Sequence, residues 1–250
     1  MTLHLDQNKQ PIRIVVAGPP KTGNVWIKHI LAEVYQLHII SPEPGADANE
    51  LQTFIQQGHF LPHSIFQQHY WPTHQFSSLV ASEHIHVVTV LRNPYDTFVS
   101  LYHFVQNFPE SFPPGHQLYP LRKKTLDHPE VYAFIARVHK GFGIHLRLAY
   151  EWLASGRSQI VRYEDLQLNP VPEVERLTSH IAPVDEASIH NAISASSAEK
   201  LRKQSRRLSH HIRKATVGDW KNHLSREHLK VFRENHADLI EKLGYEVLEG

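Results

Sequence analysis

The 250-residue chain contains no cysteine, which excludes disulfides, thiolate metal sites and a cysteine nucleophile. It also lacks any run of about 18 apolar residues that could span a bilayer. Its opening stretch, Met1 to Gln10, is polar and has no apolar signal core, so a soluble, cytoplasmic protein is expected. An excess of one charge is missing too. With 26 basic and 25 acidic side chains the formal charge is +1, and no whole-molecule field draws the chain to nucleic acid or an anionic membrane. Any basic site has to be local. No internal repeat, heptad run or low-complexity tract occurs, and the length suits one large core, so a single domain over residues 1–250 is expected.

Histidine is abundant, at 21 residues. His84 and His86 could share the face of a strand and His210 and His211 are adjacent, yet no spacing unites three ligands with a carboxylate. No metal site is expected.

Residues 12–17 (Ile-Arg-Ile-Val-Val-Ala) form a short β-branched run that reads as a strand buried in a parallel sheet. The run stops at Gly18-Pro19-Pro20. Trp26, Ile30, Leu31, Val34 and Tyr35 then recur at helical spacing. A second strand at residues 86–91 is followed by Asn93 as N-cap and Pro94 as the first residue of a helix reaching about Phe104. A third, at 159–163, leads through a polar turn to Asn169-Pro170 and a helix over 171–181. Strands alternating with helices predict an α/β fold with a doubly wound parallel sheet, whose ligands gather at the carboxyl ends of the strands. Residues 41–57 and 105–129 read as loops with short helices, of the kind that serve as lids or binding loops.

The segment from Gly18 to Asn24 is phosphate-loop-like but departs from the nucleoside triphosphate loop. That loop needs a late lysine to reach the β and γ phosphates and then a hydroxyl residue to hold magnesium. Here the lysine is early, at Lys21, and Gly23 is followed by Asn24 and Val25. The amide N–H groups from Thr22 to Trp26 at a helix start still make an anion site, suited to a phosphate monoester. Lys21, at the loop's outer edge, can neutralise charge on a group leaving that phosphate. A second basic cluster runs from Lys200 through Arg202, Lys203, Arg206 and Arg207 to Arg213 and Lys214, with no acid between its ends. It suits either a solvated helix face or a loop closing on an anionic ligand.

Five ordered segments resemble the sulfotransferases that use 3′-phosphoadenosine 5′-phosphosulfate, chiefly the soluble cytosolic type and its bacterial relatives. Pro20-Lys21-Thr22-Gly23-Asn24-Val25-Trp26 is similar to that family's 5′-phosphosulfate loop. Arg92-Asn93-Pro94-Tyr95-Asp96, with Ser100, resembles its 3′-phosphate segment. Residues 161–166, around Tyr163, resemble the strand end beside the adenine. Residues 196–201 are similar to a stretch that brings a hydroxyl, here Ser196, to the base, and residues 213–222 resemble the C-terminal signature in which Arg213, Lys214 and Ala215 close on the 3′ phosphate. The resemblance runs from about Arg13 to Asn222.

It implies a metal-free, P-loop-like phosphosulfate loop, with the donor held by Lys21, Thr22, Gly23, Asn24, Val25, Trp26, Arg92, Ser100, Tyr163, Ser196, Arg213, Lys214 and Ala215. It further implies transfer of a sulfuryl group to a hydroxyl or amine of a small acceptor. Trp26 and Tyr163 would flank the adenine. Transfer needs a base for the acceptor's proton and a cation for the bridging oxygen. Lys21 fits the second task. His63, His69 and His74 lie near prolines in one stretch, and Gln68-His69-Tyr70-Trp71-Pro72 is similar to the family's base segment, so the resemblance implies His69 as base.

Val25 stands where the family has a threonine that touches the donor, and the Asn24 amide could substitute for that hydroxyl. Ala198 stands in place of an aromatic and Ala215 in place of a glycine. The family's dimer motif is missing after Lys221, so no oligomeric state follows. Phe104, Phe108, Phe112, Tyr119, Tyr132 and Phe134 would give the acceptor an apolar pocket or would simply pack. A nucleotide-binding module without catalysis is the alternative, and a P-loop kinase a more distant one because of the early lysine.

Overall fold

The computed structural model describes residues 11–205, 208 and 216–250. Five strands form one sheet in the order β2-β3-β1-β4-β5: β1 Arg13–Ala17, β2 His38–Ile39, β3 Ser64–Gln68, β4 His86–Leu91 and β5 Gln159–Arg162. Every pairing is parallel. Helices α1 Asn24–Tyr35, α2 Ala48–Gln56, α3 His74–Ser82, α4 Pro94–Asn107, α5 Pro129–Ala136 and α6 Gly143–Ser155 carry the chain as far as β5. Beyond it follow α7 Tyr163–Leu168, α8 Pro170–Ser179, α9 Glu186–Ala195, α10 Ala198–Gln204 and α11 Arg226–Lys242. None of the described helices is long and apolar enough to cross a membrane.

The β-branched run of β1 is explained by cover on both faces. Ile14 and Val16 pack with α1, α8 and α9, whereas Val15 and Ala17 pack with aromatics of β3, α3 and α6, as the two-residue strand period requires. A third apolar cluster joins α4, α5, α6 and α11 through Tyr95, Phe98, Phe134, Phe142 and Phe232. From β1 the chain goes outward to β2, returns to β3 and then crosses to β4, so β1 lies where the winding reverses and a crevice opens at its carboxyl end.

The three strands read from the sequence are present, with boundaries shifted by no more than one residue. Strand β3 was not anticipated, and it is the element that delivers His69. The turn expected after residue 163 is instead the short helix α7, with Glu164 and Asp165 in its first turn, where acids suit the helix dipole. The stretch at 41–57 holds α2, and that at 105–129 holds two 3₁₀ turns, Pro109–Ser111 and Tyr119–Leu121. His84 lies in the turn before β4 with φ 51°, off the strand that carries His86.

Candidate active site

A cavity of about 430 Å³ opens over the carboxyl ends of the four strands β1, β3, β4 and β5. Its wall includes Lys21 and Trp26 from the loop and α1, His69 after β3, Arg92 after β4, and Tyr163 after β5. Ser100 and Phe104 reach it from α4.

The loop after β1 is braced by its own polar side chains. Thr22, 2% exposed, donates its hydroxyl to the Pro19 carbonyl at 3.0 Å and to Asn24 Oδ1 at 3.2 Å, and Asn24 Nδ2 donates to the same carbonyl at 3.0 Å. The Asn24 side-chain amide is thus engaged within the loop through Oδ1 and one of its two N–H donors. Trp26 N–H donates to Gly23 O at 2.9 Å, which removes it from the expected set of open amides. Asn24 and Val25, the first two residues of α1, line the cavity, and their backbone amides have no helical carbonyl one turn before them. Gly23 has φ 117°, and a Cβ there would lie 2.6 Å from Tyr163 Cδ2, so backbone and Tyr163 meet only because the residue is glycine. Lys21 also sits at positive φ, 68°, a strained placement for a side-chain residue. Its Nζ lies 4.3 Å from the Phe104 ring centroid.

His69 lies one residue past β3. Its Nδ1 is 2.7 Å from the Gly18 carbonyl, which can only accept, so the neutral ring carries its proton on Nδ1 and its lone pair on Nε2. Burial lowers its pKa from the ordinary 6.5, against the raising effect of the Gly18 bond. On α6 a second imidazole, His145, is pushed down to about 3 by burial and, secondarily, by the charge His69 would carry.

Arg92 is held on several sides. Nη1 donates to the Lys21 carbonyl at 3.3 Å, Nη2 donates to the Thr216 carbonyl at 3.0 Å, and the guanidinium lies 4.3 Å above Tyr163. Trp26 meets Tyr163 edge-on at 5.8 Å. One face of Tyr163 is therefore covered by Arg92, leaving Trp26, whose buried Nε1 has no partner among the described residues, as the freer aromatic wall.

The structure thus brings Lys21, Gly23, Asn24, Val25, Trp26, His69, Arg92, Ser100 and Tyr163 to one cavity. Thr22 serves it from behind, as the brace. Ser196 departs from expectation: it is 1% exposed, caps the end of α9 and does not line the cavity. Ser197, the N-cap of α10, lines the cavity together with Ala198. Arg213, Lys214 and Ala215, with Arg206, Arg207, His210 and His211, lie outside the described residues.

Gln67, Gln167, Ile193 and Thr216 also line the cavity and were not foreseen. Gln67 could have been found from the two-residue period that puts it on the face of His69, had β3 been recognised; the others arrive by tertiary contact. Of the six aromatics considered for the acceptor, Phe104 lines this cavity. Phe112 and Phe134 are core, Tyr119 is 37% exposed, Phe108 packs on Phe104, and Tyr132 stacks on His228.

Comparison with known proteins gives a consistent result. The family model described as the sulfotransferase domain matches residues 11–244. Sulfotransferase 6B1 of Pan troglodytes is 23% identical over 225 residues, covering 84% of this chain and 70% of that protein. Cytosolic sulfotransferase 13 of Arabidopsis thaliana is 34% identical over 105 residues, 38% of this chain and 32% of that one. Among solved structures, mouse sulfotransferase SULT7A1 complexed with PAP has TM-score 0.68 at 16% identity, over 92% of this chain and 84% of its own. Retinol dehydratase with androsterone and PAP has TM-score 0.64 at 14% identity, over 92% and 82%.

Proposed function

Since the chain belongs to the sulfotransferase family and is an enzyme of the type that uses 3′-phosphoadenosine 5′-phosphosulfate, we propose that it moves the sulfuryl group to a hydroxyl or amine of a small acceptor, with His69 as general base and Lys21 as the cation at the leaving oxygen. One observation carries this reading. His69, its tautomer set by the Gly18 carbonyl at 2.7 Å, shares a cavity with Lys21 and with the amides that open α1.

In this reading the acceptor's oxygen or nitrogen attacks sulfur in line, its proton passes to His69 Nε2, and the bond from sulfur to the phosphate oxygen breaks. Lys21 meets the charge that grows on that oxygen. The 5′ phosphate rests on the backbone amides of Asn24 and Val25, in a loop where Gly23 lets backbone approach closely. Arg92 and Ser100 take the 3′ phosphate, while Trp26 and Tyr163 take the adenine. Phe104 gives the acceptor side an aromatic wall beside Lys21, suited to an acceptor with an apolar or aromatic part. No step uses a metal.

Calorimetry with adenosine 3′,5′-bisphosphate against ADP, each with and without magnesium, tests the donor. Tighter binding of the bisphosphate, unaffected by magnesium, is expected, and preference for ADP with magnesium would sink the reading. Transfer of labelled sulfate to a panel of alcohols, phenols and amines then identifies the acceptor. His69→Ala is expected to lower turnover by about 10²- to 10⁴-fold; full turnover by the variant would remove His69 as the base.

A further inference from the structure

Asp96 is an acid in the first turn of α4 and is 2% exposed. Its own N–H donates to the Asn93 side chain at 3.2 Å, which fixes where the carboxylate starts. From there Oδ2 accepts the Gly218 N–H at 2.7 Å and Oδ1 accepts the Trp220 N–H at 2.9 Å. Gly218 is left-handed, with φ 79°, so the turn that presents both amides favours glycine. Two residues before Gly218, the Thr216 carbonyl accepts from Arg92 Nη2 at 3.0 Å, and Thr216 lines the cavity.

The spacing along the chain is informative. Arg92 precedes Asp96 by four residues, and Ser100 follows it by four, one helical turn further along the same face of α4. Both neighbours line the cavity, and Asp96 does not. A buried carboxylate needs donors for both of its oxygens. Two short bonds from two different amides engage it. The residue type follows as well: an ionised carboxylate has two accepting oxygens, whereas an asparagine would turn an NH₂ toward one of the two N–H donors.

We propose that Asp96 is a positioning residue for donor selection. By clamping the turn at 216–220 to the start of α4, it holds the Thr216 carbonyl against Arg92 and so presents the guanidinium to the donor's 3′ phosphate. Discrimination between nucleotides with and without that phosphate then depends on a residue that touches neither. This rests on the assignment of Arg92 and Ser100 to the 3′ phosphate.

The test is calorimetry on the full chain with adenosine 3′,5′-bisphosphate and with AMP, which differ only in the 3′ phosphate. Asp96→Asn, which loses one charge-assisted bond, is expected to raise the Kd for the bisphosphate about tenfold and that for AMP less than about twofold. Equal weakening of both ligands, or no change in either, overturns the clamp. Because Asp96→Asn can also impair folding, Gly218→Ala provides a second route. A Cβ there meets nothing within 4 Å, but the positive φ strains the same turn, and the same selective loss is expected. If the unaltered protein binds the two ligands equally, the 3′-phosphate reading falls and the clamp with it. If it discriminates and both variants discriminate as well, only the clamp falls.

Discussion

His69 combines two properties of a base that works at neutral pH: a tautomer set by a backbone carbonyl at 2.7 Å and a pKa held below 6.5 by burial. The free lone pair is therefore already dominant at pH 7. The rate is expected to rise with pH along an acid limb whose midpoint lies below 6.5, and then to level off; a kcat/KM profile with a midpoint at or above that value would contradict the assignment. In the proposed reading Lys21 acts at the other end of the transferred group. Lys21→Ala is expected to lower kcat by about 10²-fold with a smaller effect on bisphosphate affinity, measured by comparing turnover with calorimetric Kd. The residue types were legible at this scale, because an early lysine without a magnesium-holding hydroxyl already pointed away from triphosphates. The engagement of the Asn24 side chain with Pro19 and Thr22 was not legible, since asparagine serves equally well as brace and as ligand until the loop's path is known.

The unit formed by the loop and α1 depends on one close approach. Gly23 at φ 117°, with Tyr163 where a Cβ would go, couples the phosphate loop to the end of β5. Gly23→Ala is expected to cost about 1–3 kcal/mol of stability, read as a lower Tm, and to weaken bisphosphate binding as the loop moves off Tyr163; an unchanged Tm would show that the loop tolerates a side chain. The start of α4 is likewise a junction. Asn93 caps it through Tyr95 and Asp96, while the Asn93 N–H donates to Glu164 at 2.7 Å, and Glu164 in turn accepts from Tyr245. Helix starts of this kind are readable, because Asn followed by Pro states a cap and a first turn. Strand β3 was not, because Ser-Ile-Phe-Gln-Gln is half polar, and only its place between β1 and β2 makes it a strand.

Across the whole molecule, histidine burial sets a pH dependence. His29, His69, His86, His145 and His236 all have lowered pKa values, each first through burial. The unfolded chain binds protons at these sites near 6.5, while the folded chain resists them, so stability falls as pH drops below 6.5. Thermal unfolding from pH 7.5 downward is expected to show a Tm that declines steadily below about pH 6.5. His145, held down to about 3, contributes throughout that range. His145→Leu is expected to flatten the decline, and an equally steep curve would place the acid sensitivity elsewhere.

The sequence by itself determined the alternation of strands and helices, the phosphate loop and its early lysine, the cap that begins α4 and the proline that begins α8. Each of these is local: a few adjacent residues fix backbone geometry or an apolar face, and no distant partner is needed to read them. Tertiary structure alone decided which side chains meet. It buried Ser196 off the cavity wall and brought Ser197 to it, covered one face of Tyr163 with Arg92, set the His69 tautomer from Gly18, and tied Asp96 to a turn more than 120 residues away. Those outcomes depend on where separate strands end relative to one another, and that is fixed only when the sheet is assembled and both its faces are covered.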